Sequence, residues 1–177
     1  IQSMALMAWI GLAVAASSLV GRRIGAGDVR GARRAALLTP LVGAVLAGVL
    51  CAPVAILAPQ IARAFSMSGA VDSLTARLLP LVSVVLLLDA ISNSLQGICS
   101  GLGLQRVAAL ANMLGYYVIG IPAAVVLAFV VYKDRKEGVF GLWIGVGCAM
   151  LTAALLMIVA LLRHDWSRSA SEAALRL

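Results

Sequence analysis

The chain has 177 residues, 63% of them hydrophobic and 12% charged, with a mean hydropathy of +1.06. A soluble domain is about 45–50% apolar and about 25% charged, so this composition excludes an ordinary soluble domain and marks an integral membrane protein. The net charge of +7 does not signal nucleic acid, because the basic residues lie between apolar blocks with few aromatics among them to stack on bases.

Five runs carry almost no charge: Ile1–Gly21, Ala35–Ala62, Leu78–Gln105, Val107–Tyr132 and Gly138–Leu162. A bilayer core of about 30 Å needs roughly 20 helical residues. All five runs are long enough, and none alternates as a barrel strand does. They predict an all-α membrane bundle with transmembrane helices at about 1–20, 36–58, 76–100, 108–131 and 139–162. Residues 1–164 form the bundle, and residues 165–177 form a polar tail with a short surface helix or disorder. No internal repeat is visible.

The connections are short. The first holds Arg22, Arg23, Arg30, Arg33 and Arg34 against Asp28, and the second holds Arg63, Ser66, Ser68, Asp72 and Arg77. The third is a glycine turn ending in Gln105 and Arg106, and the fourth is Lys133-Asp134-Arg135-Lys136-Glu137. Alternate connections share a side. One side collects nine basic residues, the first five with Arg106, Arg163, Arg168 and Arg176, and the other collects five. The positive-inside rule makes the richer side, and with it the C-terminus, cytoplasmic. Ile1 is not an initiator Met, and no secretory signal or transit peptide precedes the first apolar block. The expectation is a piece of a longer chain.

Asp89 is the only charge between Leu78 and Gln105, near the middle of the third span. A carboxylate at that depth is costly unless protonated, paired or facing water, and is a functional site by default. Asp89, Asn93, Gln96 and Ser100 are spaced by four, three and four, which puts them on one helical face with Ser92 flanking it. Lipid cannot satisfy such a stripe, so it must meet other helices or a water-filled cavity. Desolvation favours a neutral acid and a bound cation favours the carboxylate, so Asp89 is a candidate site for H⁺ or Na⁺. The competing reading is structural: Ser92, Asn93 and Gln96 join helices by hydrogen bonds, and Asp89 pairs with a base. In the fourth span, Asn112 and Tyr116 share a face and are candidates to line the same cavity, or the tyrosines are interfacial anchors. Pro122 removes a backbone donor there and predicts a kink.

Other chemistries fail on spacing. Cys51, Cys99 and Cys148 are scattered through apolar blocks far from His164, the only histidine, which argues against zinc. Gly25-Ala-Gly27-Asp28 and Gly101-Leu-Gly103 complete neither G-x-G-x-x-G nor a Walker loop. No Ser–His–acid set is available. No enzyme activity, resident metal or cofactor is expected.

In this order and spacing, several blocks resemble the multidrug and toxic compound extrusion (MATE) transporters, eukaryotic branch. Val20-Gly-Arg-Arg-Ile-Gly25-Ala-Gly27 with Ala32-Arg33 looks like the V-G-N-x-L-G-A-G…A-R loop, departing from it at Arg22 or Arg23 and at Ile24. Gly97-x-x-x-Gly101-x-Gly103-x-Gln105 looks like the G-x-x-x-G-x-G-x-Q turn. Asn112-Met-Leu-Gly-Tyr116-Tyr117-Val-Ile-Gly120-Ile-Pro122 looks like N-L-x-x-Y-Y-x-x-G-x-P. Gly141-Leu142-Trp143-Ile144-Gly145 looks like G-L-W-x-G, and Asp165-Trp166 like the D-W after the last helix.

The resemblance implies two six-helix bundles, of which this chain supplies most of the second. Its N-terminal partner bundle would be the missing part of the same chain. It also implies export of organic cations or amphipathic metabolites in exchange for H⁺ or Na⁺, in a plasma or vacuolar membrane. An acid in the tenth helix takes part in cation coupling in that family, and Asp89 falls at that position. A truncated, non-transporting membrane protein and a lipid-linked sugar flippase are the alternatives.

Overall fold

Arginine is a good helix former, so the helices here do not stop where the apolar runs stop. The computed structural model describes residues 2–65, 69–132 and 137–174. They form α1 (Gln2–Gly25), α2 (Val29–Ile56), α3 (Ala58–Phe65), α4 (Gly69–Gly101), α5 (Gln105–Val131), α6 (Gly138–Arg163) and α7 (Trp166–Ala174). Five of these, α1, α2, α4, α5 and α6, are long and apolar enough to cross a membrane. Ser66, Ser68, Lys133, Asp134, Arg135, Lys136 and Arg176 lie outside the described residues. So do the side chains of Arg63 and Asp72.

The expected boundaries err most at charged ends. α1 continues to Gly25 rather than about 20, α2 starts at Val29 rather than 36, and α4 starts at Gly69 rather than 76. Hydropathy marks what lies in lipid, whereas a helix ends where backbone geometry ends it. α1 ends because Gly27 takes φ +74°, and α4 ends because Gly103 takes φ +76°. Each glycine closes the same double turn. Asp28 N donates to Arg23 O and Gly27 N to Ile24 O after α1; Leu104 N donates to Cys99 O and Gly103 N to Ser100 O after α4. These are Schellman caps, which need a left-handed residue. Gly25 stands in open space at an ordinary φ. Gly27→Ala is therefore expected to cost about 1–2 kcal/mol, and Gly25→Ala nothing, in thermal melts of the purified protein. Equal shifts would refute the assignment.

The shared corner corrects the expectation of no internal repeat. Residues 18–35 and 94–111 carry Ser18/Ser94, Leu19/Leu95, Gly21/Gly97, Gly25/Gly101, Gly27/Gly103, Arg30/Arg106, Ala32/Ala108 and Ala35/Ala111 at one constant offset. The match is confined to two helix–turn–helix corners, too short to stand out amid so much Ala, Gly and Leu.

α4 lies at the centre, packed on α1, α2, α3 and α6, while α5 packs mainly on α6. Small residues set the distances, as is usual where lipid tails compete with side chains for apolar contact. Gly97 sits directly on the backbone of Ala13, and a Cβ on Gly101 would lie 2.6 Å from Ser17 O. On the α5–α6 seam, Gly141, Gly145, Ala149 and Ala153 of α6 face Gly115, Gly120, Ala124 and Ala128 of α5. The α6 set repeats every four residues. The α5 set jumps five between Gly115 and Gly120, and there the helix widens to a π form, Leu114–Gly120, with Ile121 N donating to Tyr116 O. The wide turn keeps both glycines on the seam. It also precedes Pro122, whose missing donor and bulky ring an ordinary α turn accommodates poorly. The kink expected at Pro122 thus takes the form of a π segment one turn before it.

Most of the bonded hydroxyls inside the spans are satisfied locally. Thr39, Ser83, Ser94, Ser100 and Thr152 each donate to the carbonyl four residues back, at 2.7–2.9 Å. That bonding keeps polar groups from facing lipid unpaired. Of the two expectations for the tail, the short helix holds over Trp166–Ala174: Asp165 Oδ1 accepts from Ser167 N and Arg168 N, an N-cap for α7. Trp166 is buried against the bundle and donates from Nε1 to Leu161 O at 3.3 Å. The Asp-Trp pair therefore caps and anchors this short helix.

Candidate functional site

Helical spacing assembles the site. Asn93 follows Asp89 by one turn of α4, so its side chain reaches back over the carboxylate. Asn93 Nδ2 donates to Asp89 Oδ1 at 2.8 Å and to the Asp89 carbonyl at 2.9 Å. Asp89 is half-buried. Among the described residues no Arg, Lys or His pairs with it. The pairing with a base that a structural role would call for is thus not seen there.

One turn further on, the stripe meets α5. Asn112 Nδ2 donates to Gln96 Oε1 at 3.3 Å, and Ser100 Oγ donates to the Gln96 carbonyl at 2.9 Å. Gln96 and Tyr116 are exposed and Asn112 is half-buried. Asn112, Tyr116 and Tyr117 line an open cavity of about 410 Å³ with Ala109, Met113 and Ile121. The π segment helps to place Tyr116, which occupies that segment and whose carbonyl accepts the wide-turn bond.

Not every polar residue of α4 joins this face. Ser92 is buried on the other flank and donates to Met150 O of α6 at 3.3 Å. That is the helix-joining role weighed against function above. Ser94 is fully buried beside Gly43 of α2. Gln105 stands exposed on the first turn of α5, and Trp143 is half-buried near the start of α6. Gly27, Gly101, Gly103 and Pro122 shape the backbone and the packing as described, and Gly25 stands in open space. Among the described residues, no group of three or more His, Cys, Asp or Glu gathers, and Cys51, Cys99 and Cys148 are free thiols.

Trp9 belongs to no sequence motif. It is fully buried against Ala47 and Ala90, and its indole Nε1 has no hydrogen-bond partner among the described residues. Its only signal was an aromatic placed in mid-span rather than at an interface.

The chain resembles known proteins along nearly its whole length. Residues 1–126 match the MatE family model. It is 34% identical over 171 residues to multidrug and toxin extrusion protein 1 of Xenopus tropicalis, covering 94% of this chain and 28% of that one. It is 32% identical over 168 residues to DETOXIFICATION 41 of Arabidopsis thaliana, covering 95% and 32%. The fold matches the crystal structure of the eukaryotic MATE transporter AtDTX14 with a TM-score of 0.86 at 30% identity, over 99% of this chain and 38% of that one. The chain thus spans roughly a third of the length of these relatives. Five apolar helices, the family model and the shared fold agree: this multi-pass membrane chain belongs to the MatE family.

Proposed function

We propose that this chain forms most of the second bundle, residues 1–164, of a secondary active antiporter, with residues 165–177 as a cytoplasmic tail. The whole protein exports organic cations, xenobiotics or secondary metabolites by alternating access, in exchange for H⁺ or Na⁺, across a plasma or vacuolar membrane. Asp89 binds the coupling cation and Asn93 positions its carboxylate. Asn112 and Tyr116 line the cavity on α5, and Gln96, which accepts from Asn112, links it to the α4 stripe. One observation carries the reading: a mid-span carboxylate held by an amide and, among the described residues, by no base. Such a group can exchange a cation because nothing permanent neutralises it.

The test is efflux of a fluorescent organic cation from proteoliposomes holding the full-length protein. A pH gradient or a Na⁺ gradient alone is expected to drive it, and the effective gradient names the ion. Efflux unaffected by either gradient overturns the antiport. A lipid-linked sugar flippase would not move the cation at all.

Orientation has its own test. Cysteines introduced at Ala26 and Ser169 are expected to react with an impermeant reagent from the cytoplasmic side, and one at Ser68 from the other. Labelling of all three from one side overturns the topology.

A further inference from the structure

The arginine-rich end of the bundle holds more than a topology signal. There α2, α4, α6 and α7 enclose a groove of about 430 Å³ with apolar walls and one charged residue, Arg33, at its mouth. The Arg33 guanidinium lies 5.9 Å from the centroid of the buried Trp166 ring. That cation–π contact holds the charge at the rim without neutralising it. The nearby acids are otherwise engaged. Asp28 binds Arg23 at 3.0 Å and caps α2 through Gly31 N, and Asp165 caps α7. Among the described residues no carboxylate pairs with Arg33.

The walls run from this rim towards mid-membrane. Arg33 and Pro40 are seven residues apart on α2, about 10 Å along the axis. Leu37 of α2 and Leu162 of α6 flank the opening and are 76% and 78% exposed, the two highest values among the large apolar side chains of the described residues. An apolar groove with one exposed guanidinium at its rim and no carboxylate on it among the described residues suits a hydrocarbon chain with an anionic head.

We infer that this groove binds an anionic glycerophospholipid of the surrounding leaflet. Its phosphate meets Arg33 beside Trp166, and one acyl chain lies between Leu37 and Pro40 of α2 and Ile158 and Leu162 of α6. The bound lipid ties α7 to α2 and α6 at the membrane surface. This site is separate from Asp89 and does not depend on how transport is coupled.

The probe is phosphatidylglycerol against phosphatidylcholine of matched chains, measured by native mass spectrometry of the full-length protein. The wild type is expected to prefer the anionic lipid about fivefold, the worth of one arginine at a membrane surface. That comparison needs no variant. Arg33→Gln is expected to abolish the preference, and Leu37→Trp, which fills the groove, to lower retention of both lipids. Arg34→Gln, on a different face, is expected to keep the wild-type preference. Equal retention of the two lipids by the wild type overturns the inference, as does wild-type binding by both Arg33→Gln and Leu37→Trp. So does protection of Leu37→Cys from a maleimide in delipidated, detergent-solubilised protein, which would mean that another segment of the protein covers the groove.

Discussion

Asp89→Asn in the full-length protein is expected to cut gradient-driven efflux by about 5- to 150-fold, the range of a coupling free energy of 1–3 kcal/mol, with normal amounts of folded protein in the membrane. The substitution suits the question because it is nearly isosteric. An asparagine Oδ1 accepts the bond from Asn93 Nδ2, now 2.8 Å, as the carboxylate does. No ion pair is lost, since no base pairs with Asp89 among the described residues. Removing a mid-span charge also relieves a folding cost. What disappears is the ability to take up and release a cation. Downhill exchange without a gradient is expected to survive, because cavity shape is kept. Unchanged gradient-driven efflux would show Asp89 to be structural and would move coupling to residues outside this chain.

Asn93→Ala separates positioning from coupling. It removes both bonds to Asp89 and leaves the carboxylate itself. Net hydrogen-bond contributions of about 1.5–3 kcal/mol where one partner is charged translate into a roughly tenfold to hundredfold change in the cation concentration for half-maximal efflux, with the maximal rate largely kept. A loss as deep as that of Asp89→Asn would place Asn93 among the groups that bind the cation.

The site was legible in proportion to how local it is. Asp89 stood out because one charge in a long apolar run has few physical excuses, and Asn93 followed from the helical repeat alone. The contact between Gln96 and Asn112 joins two helices across the Gly101–Gly103 turn. Sequence indicated a shared cavity but not which residues would touch. The tyrosines show what pattern cannot supply. Where Tyr116 points depends on the π segment, and that segment is visible only once Gly115 and Gly120 are known to pack on one seam. A five-residue gap in a four-residue series of small side chains was the available signal. The fold shows the same division. Hydropathy found the five spans, but the true ends of α1 and α4 were set by the left-handed Gly27 and Gly103. α3 was missed because Pro53 and Pro59 around a break at Leu57 look like the end of one helix rather than the start of another.

Glycine-to-alanine changes inside α2 and α4 are expected to have opposite signs. Alanine favours a helix over glycine by about 0.8–1.0 kcal/mol, so in open space the change stabilises. Gly48 of α2 has nothing within 4 Å of where a Cβ would stand, and Gly48→Ala is expected to raise the melting temperature slightly. Gly97 of α4 has the Ala13 backbone in that space, with Ala13 Cα 2.8 Å from the new carbon. No rotamer change relieves such a clash, because the obstacle is main chain. α1 must move away from α4, which loosens the contacts around the neighbouring Gly101 and Ser17 as well. Overpacking commonly costs about 1–3 kcal/mol when side chains can adjust. Here the cost is expected near or above the top of that range, seen as loss of the monodisperse peak in fluorescence-detected size exclusion after mild heating. Because the α1–α4 contact and Asp89 share one helix, Gly97→Ala is also expected to reduce efflux through loss of folded protein, while efflux per folded molecule stays closer to wild type. A Gly97→Ala protein as heat-resistant as wild type would mean that α1 and α4 do not approach each other as closely as this fold requires.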